Sequence, residues 1–529
     1  MTIILDILVF VLVLGSIILI HEGGHFFFAR RVNILCREFA FGMGPILAKK
    51  KKGETLYSLR AFPIGGFCAI AGEELENDPI IDGQSYGLEI ENGIVKKIYI
   101  DSKNQTFSEI THFKISRHDL FDQNQTGNLF IETEENNQYF TYPVDAQAMF
   151  MMEKQEFQIA PYNRTIQSKR KRDRAMVIFG GPLMNFLLAL IVFFLAGLIG
   201  GFPDQSSNYL SDILEDTPAF SAGLQENDQI VSMQSSNLFI AVQSWEDVQQ
   251  FMTDYSNLYP DNSIQVRYMR NNAFYTTTIQ PRISIYSIGL VSDYTANDVI
   301  VGSIADKSIA YLAGLREGQK ITFVNDTPVT TWKQVYDAFV ANTAGEEVSF
   351  QVEGSSDEII VKPYSKEVMD SQLTLTGDTI PLAKMAIGIS PESSFDFFES
   401  FAYSGRMTVS AFGLIFNTLR LLFTSDEIGI KNLGGVVAIF SLTSDVAKNG
   451  FVSILNWIGL LSVNVGLLNL LPIPALDGGR LIFLGYEAIT KKKPNQKVET
   501  ALITATMLLL FAFMIYITFN DIINLFGVR

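Results

Sequence analysis

The chain is poor in cysteine, in histidine and in charged residues. Its 529 residues include 2 cysteines, 4 histidines and 18% charged side chains, whereas 48% are hydrophobic. Two cysteines, Cys36 and Cys68, are too few for a disulfide framework or a cysteine-rich zinc module. Any metal must therefore be bound by histidine and carboxylate ligands. The apolar excess excludes a disordered or fibrous chain and indicates that part of the protein lies in lipid.

An excess of basic charge is also missing. The net charge is −16, so nucleic acid and anionic headgroups are not expected as general partners. The imbalance comes from residues 201–400, which hold 27 Asp and Glu against 10 Lys and Arg, a net charge of −17. We interpret this segment as an acidic extracytoplasmic part. Carboxylates that only keep a surface soluble would give the same pattern.

The first apolar run, residues 3–29, lacks the features of a cleaved signal peptide. No charged n-region precedes it and no small-residue cleavage site follows it. The run is long enough to cross a hydrocarbon core of about 30 Å as a helix. Arg30 and Arg31 stand at its far end, and the positive-inside rule places them in the cytoplasm. We therefore expect a first span with an extracytoplasmic N-terminus.

Basic residues orient the later apolar runs as well. Five basic residues within 169–174 precede the second run, and Lys491 to Lys493 lie between two further runs at 452–471 and 502–519. A weaker candidate, residues 407–423, has Arg406 beside it and carries Arg420. Its crossing would force the triple-lysine loop outside, so we interpret it as an interfacial or partly buried helix. The result is a multi-pass protein of the cell membrane with four spans and both termini extracytoplasmic.

The acidic segment contains an internal repeat. Residues 217–233 align without a gap to residues 308–324, and a tryptophan-led segment follows each copy at Ser244 and Thr331. A period of about 90 residues indicates duplicated domains, not a solenoid. The Ala-Gly-Leu turn, the strand and the helix that follow resemble PDZ domains of bacterial proteases, which bind an extended peptide at a sheet edge. Alternatively, the two copies act only as spacers or steric shields.

Residues 73–165 show a different pattern. Alternating side chains predict hairpins, with an Asn-Gly and an Asn-Asn pair as turns. We expect a small β-rich insert on the cytoplasmic side. His112 and His118 are six residues apart, match no helical face and are interpreted as surface or core histidines, not as metal ligands.

The HEGGH motif lies at the cytoplasmic end of the first span. On a helix, His21 and His25 share one face, so both imidazoles can reach one ion while Glu22 lies beside it to take a proton from water. A polar helix end in the headgroup region is the alternative. Burying these groups among apolar residues is costly, which favours a zinc site. Gly23 and Gly24 weaken the helix and predict a close approach to the backbone.

A third ligand is expected from another membrane segment, because catalytic zinc takes three protein ligands. After Asn469 two prolines break the helix, and Asp477 follows on a glycine-flanked turn. Irregular backbone at this depth is tolerated only when it is buried in protein or lines a polar cavity. An Asp before two glycines is more often only a turn. Here, however, its membrane depth and the missing ligand make Asp477 the predicted third ligand.

Taken together, these motifs resemble the site-2 protease family of intramembrane zinc metalloproteases. The similarity is to the bacterial branch that includes the regulator-of-sigma-E protease, and IAPYNRTIQS before the second span is similar to Gram-positive members. The motifs that carry it are HEGGH, GGPLMNF, the PDZ-like pair and PIPALDGG. Val436 departs from the family, whose motif continues with proline after the glycines.

The resemblance implies a polytopic α-helical membrane protein with four spans, a membrane-re-entrant β-loop, a cytoplasmic β-rich insert and two extracytoplasmic PDZ-like α+β domains. The expected segments are a first transmembrane helix at 1–30, the β-loop region at 31–72, the insert at 73–165, a second transmembrane helix at 175–201, PDZ-like domains at 205–288 and 289–385, an interfacial helix and loop at 398–450, a third transmembrane segment at 451–490 and a fourth transmembrane helix at 499–520.

The implied activity is zinc-dependent cleavage of transmembrane segments in single-span membrane proteins within the lipid bilayer. An upstream site-1-type protease would first remove the substrate's outer domain, and anti-sigma factors or remnant signal peptides are the expected substrates. Zn²⁺ would be held by His21, His25 and Asp477, towards the cytoplasmic side, with Glu22 as general base and then proton donor.

The resemblance also implies a holder for the unwound substrate. Its expected parts are Asn185 and the edge strand that contains Gly65, Gly66 and Phe67. The alternative from a different class of protein is a non-catalytic membrane-anchored PDZ adaptor. The intact set of three ligands and one general base argues against that alternative.

Overall fold

The computed structural model describes residues 3–72, 79–100, 110–122, 127–135, 138–152, 156–211, 213, 215–236, 238–258, 263–355, 357–372, 379–425, 427, 429 and 433–526. The chain divides into two compact units, one made of Met1–Ile191 with Gly434–Arg529 and one made of Val192–Leu433. Parts of the predicted insert, including its Asn-Asn turn, and the start of the loop motif before Val436 lie outside the described residues, at 73–78, 101–109, 123–126, 136–137, 153–155 and 431–432.

The first span and the region after it form one helix and a folded hairpin. Helix α1, Ile3–Arg31, is apolar almost throughout and ends on two arginines, which favour a helix C-terminus. Strands β1, Cys36–Lys52, and β2, Thr55–Ile70, follow. Residues 38–41 pair with residues 66–69 on one side and with residues 56–59 on the other. Each strand therefore bends and contributes two segments to the sheet.

The described part of the insert is a small β-barrel. The hairpin between the first two strands has the predicted Asn92-Gly93 turn, with φ of +53° and +79°. Beyond the predicted hairpins, a parallel pairing between the second and fifth strands closes five of them around an apolar core. The strands are β3, Ser85–Glu91; β4, Ile94–Ile100; β5, His112–Asp119; β6, Phe130–Glu135; β7, Gln138–Met152; and β8, Glu156–Gln158.

The two histidines of the insert have ordinary partners. Nδ1 of His112 lies 2.8 Å from the carbonyl oxygen of Ile110, and Nδ1 of His118 lies 2.8 Å from Oδ1 of Asp82. Within the described residues, neither belongs to a cluster of metal-ligand type. The interpretation of both as non-ligands stays a prediction.

Helix α2 carries the second span, Lys171–Gly200, after two short 3₁₀ turns, Tyr162–Arg164 and Ile166–Ser168. The acidic segment then forms the repeated units. In the first unit, a short helix, a strand and a tryptophan-led helix occur in the order that the repeat predicts. Its elements are β9, Phe202–Pro203; α3, Pro218–Ser221; β10, Gln229–Ser235; β11, Leu238–Ala241; α4, Trp245–Leu258; β12, Ile264–Arg270; and β13, Ala273–Ile279.

The second unit repeats this order. Its elements are β14, Arg282–Ile285; β15, Leu290–Ser292; β16, Val301–Ile304; α5, Ile309–Ala313; β17, Ile321–Val324; β18, Thr327–Pro328; α6, Trp332–Ala341; β19, Val348–Val352; β20, Ile359–Val361; α7, Lys366–Asp370; and β21, Lys384–Ala386. Strand β22, Ser393–Ser394, follows and pairs with β9.

The two units are nested, not consecutive. Strand β21, from the end of the second unit, pairs with β14, and residues 390–392 then return to pair with residues 209–211 at the start of the first unit. One continuous core of buried side chains runs from Leu210 to Ile387. Two consecutive domains at 205–288 and 289–385 therefore do not describe these pairings, because β14 pairs within the second unit and the first unit is completed by chain beyond residue 385.

The remaining helices follow the second unit. Five helices in the described part of the chain are long and apolar enough to span a membrane, and they include all four predicted spans and α8. Helix α9 was not predicted, since the sequence indicated a loop there; its first N–H groups are capped by Asp521. The bounds are α8, Phe397–Thr424; α9, Val436–Lys448; α10, Phe451–Asn469; α11, Asp477–Thr490; and α12, Gln496–Phe526.

Candidate active site

The three predicted metal ligands converge on one point. His21 and His25 lie one turn apart on α1, and Asp477 is the first residue of α11. The Nε2 atoms of the two histidines are 3.3 Å apart. Oδ2 of the aspartate lies 3.3 Å from the first nitrogen and 3.4 Å from the second. The three atoms thus form a nearly equilateral triangle of potential ligands.

This triangle matches one face of a zinc coordination tetrahedron. With bonds of about 2.0–2.1 Å to each ligand, the edges of a regular tetrahedron measure about 3.3–3.4 Å. Oδ2 of Asp477 is buried and, among the described residues, has no hydrogen-bond partner. A buried carboxylate oxygen without a partner is costly, and a cation would satisfy it. The donor set of two imidazoles and one carboxylate also suits zinc, with a fourth position left open.

Space for the ion is provided by a glycine of α2. A Cβ atom on Gly181 would lie 2.3 Å from Nε2 of His25 and 2.8 Å from Nε2 of His21. Any side chain at this position would occupy the space on which the ligands converge. The glycine therefore keeps open a cradle of the size that the ion requires.

The other imidazole nitrogens are held by α2. Nδ1 of His25 lies 2.9 Å from the carbonyl oxygen of Val177, which can only accept, so this ring carries its proton on Nδ1 and directs a lone pair from Nε2 towards the centre. Nδ1 of His21 lies 3.2 Å from the side-chain amide of Asn185. Helix α2 thus orients both rings.

A close crossing of α1 and α2 makes these contacts possible. A Cβ atom on Gly24 would lie 2.1 Å from the carbonyl oxygen of Gly180, so only glycine fits at this point. The predicted approach to the backbone is therefore confirmed for Gly24. At Gly23 no described atom lies within 4 Å of such a Cβ, and the prediction is wrong there.

The turn that presents Asp477 is similarly tight. A Cβ atom on Gly478 or on Gly479 would lie 2.2 Å from a carbonyl oxygen of the preceding loop, that of Leu471 or of Ile473. The break between α10 and α11 was predicted from the prolines, and the glycines allow the chain to fold back so closely. The aspartate is thereby fixed at a helix N-terminus, where its charge is favourable.

The far end of α11 is tied to the start of α2. Nη1 of Arg174 lies 2.7 Å from Oε2 of Glu487, whose backbone oxygen also accepts from Lys171 at 2.7 Å. The ion pair is largely buried, with exposed side-chain fractions of 19% and 11%. The helix that carries Asp477 is therefore anchored to the helix that orients the two histidines.

Glu22 and the predicted edge strand lie together beside the metal centre. Glu22 interacts electrostatically with all three ligands and accepts a hydrogen bond from the backbone of Cys68. A Cβ atom on Gly66 would lie 3.4 Å from Cγ of Glu22 and 2.9 Å from the backbone oxygen of Ala40. Strand β2 thus runs past the glutamate at the distance of a backbone contact.

The other predicted substrate residues have different surroundings. Gly65 has φ of +86° and lies against Met43, and the Phe67 ring is covered by the guanidinium of Arg60 at 5.0 Å. Asn185 is fully buried against His21. The structure therefore brings Gly66 to the chemical centre, whereas Asn185 contacts a ligand side chain.

Three contributors to the site were not predicted: the Val177 carbonyl, the space at Gly181 and the pair of Arg174 with Glu487. A backbone carbonyl gives no sequence signal. The double glycine before Pro182 did give one, because glycines inside an apolar helix indicate close packing.

The comparison with protein families agrees with this geometry. A profile of peptidase family M50 matches residues 9–513, nearly the whole chain. The chain belongs to peptidase family M50. The predicted resemblance to the site-2 proteases is thereby confirmed.

Relatives within family M50 match over almost their full length. Zinc metalloprotease RasP of Oceanobacillus iheyensis is 30% identical over 521 residues, which is 98% of each chain. Zinc metalloprotease RasP of Geobacillus kaustophilus is 28% identical over 524 residues, 98% of each chain. Regulator of sigma-W protease RasP of Bacillus subtilis is 28% identical over 524 residues, 98% of this chain and 99% of the relative.

Membership of family M50, together with these relatives, establishes three of the predictions. The protein is a metalloprotease, its metal is zinc, and it is a multi-pass membrane protein. The alternative of a non-catalytic adaptor is not supported.

Proposed function

We propose that the protein cleaves transmembrane segments of single-span membrane proteins at the centre formed by His21, His25, Asp477 and Glu22. The observation that carries this proposal is the triangle of three ligand atoms with edges of 3.3–3.4 Å. The carboxylate of Glu22 belongs to the residue that directly follows the ligand His21. A bound zinc ion would act there as a Lewis acid and lower the pKa of water. Glu22 takes the proton of the attacking water and then delivers it to the leaving amine.

The substrate must be extended for this reaction. A spanning helix holds its amide groups in hydrogen bonds between residues i and i−4, so its scissile bond is hidden until the helix unwinds. An unwound segment in lipid needs new partners for its N–H and C=O groups. Strand β2 next to Glu22 is the proposed partner, with Gly66 at the point where the backbone comes close to the glutamate.

We propose four spans, with α8 lying outside the hydrocarbon core. Arg420, near the C-terminal end of α8, pairs with Glu367 of α7 at 2.8 Å, and Glu427 accepts from the backbone of Ser365 at 2.9 Å. At its other end, Phe397 packs against Phe194 near the end of α2. One end of α8 thus contacts the acidic segment, and its other end contacts the outer end of the second span. Both contacts support an extracytoplasmic α8, because the two ends of a spanning helix would lie on opposite sides of the membrane.

With four spans, we propose that both termini lie outside and that the catalytic centre lies towards the cytoplasm. Arg30 and Arg31 end α1, and Lys491 to Lys493 follow α11, so the positive charge gathers at one end of the spans.

We also propose that substrates are first shortened by another protease and that anti-sigma factors and remnant signal peptides are among them. The regulator of sigma-W in Bacillus subtilis supports a regulatory substrate, since its name couples proteolysis to a sigma factor. The acidic repeated units, as PDZ-like domains, then act as a size filter against substrates that retain a folded ectodomain. This role does not require either unit to bind a peptide.

The cleavage proposal is tested with Glu22→Gln. The amide keeps the size of the side chain but cannot take a proton, so membrane-anchored fragments that appear with the native protein should be missing. Mass spectrometry of membrane fractions from cells that carry either form gives the comparison. Zinc content measured on both purified proteins is the control, and persistent cleavage by a zinc-loaded Glu22→Gln protein would refute the mechanism.

The filter proposal is tested by removing the nested units together. The units share one core, and deletion of residues 205–385 would leave residues 390–392 without their partners, residues 209–211. Phe202 and Pro203 pair with Ser394 and Ser393, so residues 204–392 can be replaced by a short Asn-Gly turn at almost no change in spacing.

The deletion variant should cleave a full-length single-span substrate that the native enzyme leaves intact. Both the variant and the native enzyme should cleave the shortened substrate. Immunoblots of a tagged substrate with and without its ectodomain provide the measurement. A folded, zinc-loaded deletion that cuts neither form would show that the units activate the enzyme or receive the substrate.

A further inference from the structure

Asn185 is a buried polar side chain next to the metal ligands. It lies on α2 with 0% exposure, and its Nδ2 atom is 3.2 Å from Nδ1 of His21. In the described part of the chain, its Oδ1 atom has no hydrogen-bond partner. The contacts of Oδ1 therefore do not fix the orientation of the carboxamide, whose two ends offer His21 different hydrogen bonds.

The ligand role of His21 decides which end of the carboxamide faces this ring. With its NH₂ group towards the ring, the amide donates to Nδ1 of His21, which requires the ring proton on Nε2, the atom that faces His25 and Asp477. A half-turn of the carboxamide reverses this hydrogen bond. After the half-turn Oδ1 accepts from Nδ1–H, and a lone pair on Nε2 faces the centre. The arrangement then equals that of His25, whose Nδ1 faces the carbonyl oxygen of Val177.

We propose that Asn185 is a positioning residue that accepts a hydrogen bond from His21 and fixes this ring as the Nδ1–H tautomer that binds metal. The inference rests on the metal centre of the proposed function. It gives Asn185 a role different from holding the substrate, because a side chain with no exposed surface cannot contact an entering peptide. Partners of this kind orient a ligand and raise its basicity.

The asparagine is itself held in place from the other side. Its backbone oxygen accepts from Oγ of Ser462 on α10 at 2.8 Å. The neighbouring Phe186 lies so close to Gly466 that a Cβ atom there would come within 2.7 Å of the ring. A positioning residue works only when its own position is fixed, and the contact between α2 and α10 fixes it.

The test compares Asn185→Asp with Asn185→Leu in the inactive Glu22→Gln background, so that zinc affinity is measured without turnover. Competition with a chromogenic chelator gives the affinity of each full-length protein in detergent. Asn185→Leu should bind zinc about 10–100-fold more weakly, because the isosteric side chain cannot accept from Nδ1–H. Asn185→Asp should bind at least as tightly as the parent, since a carboxylate accepts the same proton.

Leu187→Ala is the matched control, because this side chain lies on the same helix but is 42% exposed. Its zinc affinity should equal that of the parent. Thermal unfolding of the metal-free proteins checks the fold. If Asn185→Leu does not fold, Asn185→Ser replaces it, because the serine side chain is too short to reach the ring and the same loss of zinc affinity is expected.

Two results would overturn the inference. Parental zinc affinity in Asn185→Leu and Asn185→Ser, with a raised KM in the active background, would assign the residue to the substrate. Equal loss in the aspartate and leucine variants would show that the amide donates to His21. Neither result touches the proposed function, which fails separately if the parent protein itself does not bind zinc through His21, His25 and Asp477.

Discussion

Replacing Gly181 by alanine should remove zinc from an otherwise folded protein. The added Cβ would lie 2.3 Å from Nε2 of His25, whereas a carbon and a nitrogen in contact need roughly 3.4 Å. The ring, or α2 itself, must therefore move by about 1 Å. A metal site tolerates deviations of only about 0.2 Å in its ligand distances. We expect zinc affinity to fall by at least ~100-fold, more than the loss of an outer-shell partner usually causes.

The same chelator competition on detergent-solubilised protein measures this effect. Gly23→Ala is the matched control, since no described atom lies within 4 Å of its added Cβ. It should keep native zinc affinity and raise the unfolding temperature, because alanine favours a helix over glycine by about 1 kcal/mol. Overpacking at Gly181 should lower stability by roughly 1–3 kcal/mol. Native zinc affinity in Gly181→Ala would refute the assignment of this cradle as the metal position.

Three further outcomes are expected. Asp477→Asn should lose most zinc, since a neutral amide oxygen is a weaker ligand, and undiminished metal and activity would refute its ligand role. Arg174→Met should lower the free energy of unfolding, measured by chemical denaturation, by about 3–5 kcal/mol, because Glu487 is left buried without its partner. Adding Glu487→Met should restore most of the lost free energy of unfolding. Topology reporters should place residue 250 outside and residue 492 inside, whereas an external residue 492 would mean that α8 spans.

Local geometry explains which parts of the site were predictable. The spacing of His21 and His25 predicts that they share a helix face, and the glycines after Asp477 predict a tight turn. The contacts of their remaining nitrogens were not predictable, since they depend on how α2 crosses α1. The crossing itself was signalled only by glycine, and that signal was right at Gly24 and wrong at Gly23.

Long-range pairing explains most of what was missed in the fold. The repeat revealed two similar units, but no local pattern shows that residues 390–392 pair with residues 209–211. The barrel is a similar case: alternation predicted its hairpins, whereas closure depends on a parallel pairing between β4 and β7. Helix α9 was missed because its N-terminus is capped by Asp521, a residue of a different helix.

The nesting of the two repeated units has a consequence for biosynthesis. Residues 209–211 cannot make all their backbone pairings as soon as the first unit has been synthesised, because their partners, residues 390–392, follow the whole second unit. At about 5–20 residues per second, the intervening chain of roughly a hundred residues takes about 5–20 seconds to emerge. During this interval the backbone groups of residues 209–211 lack these partners, so limited proteolysis should cut nascent forms that stop before residue 390 more readily near residues 209–211 than the full-length chain.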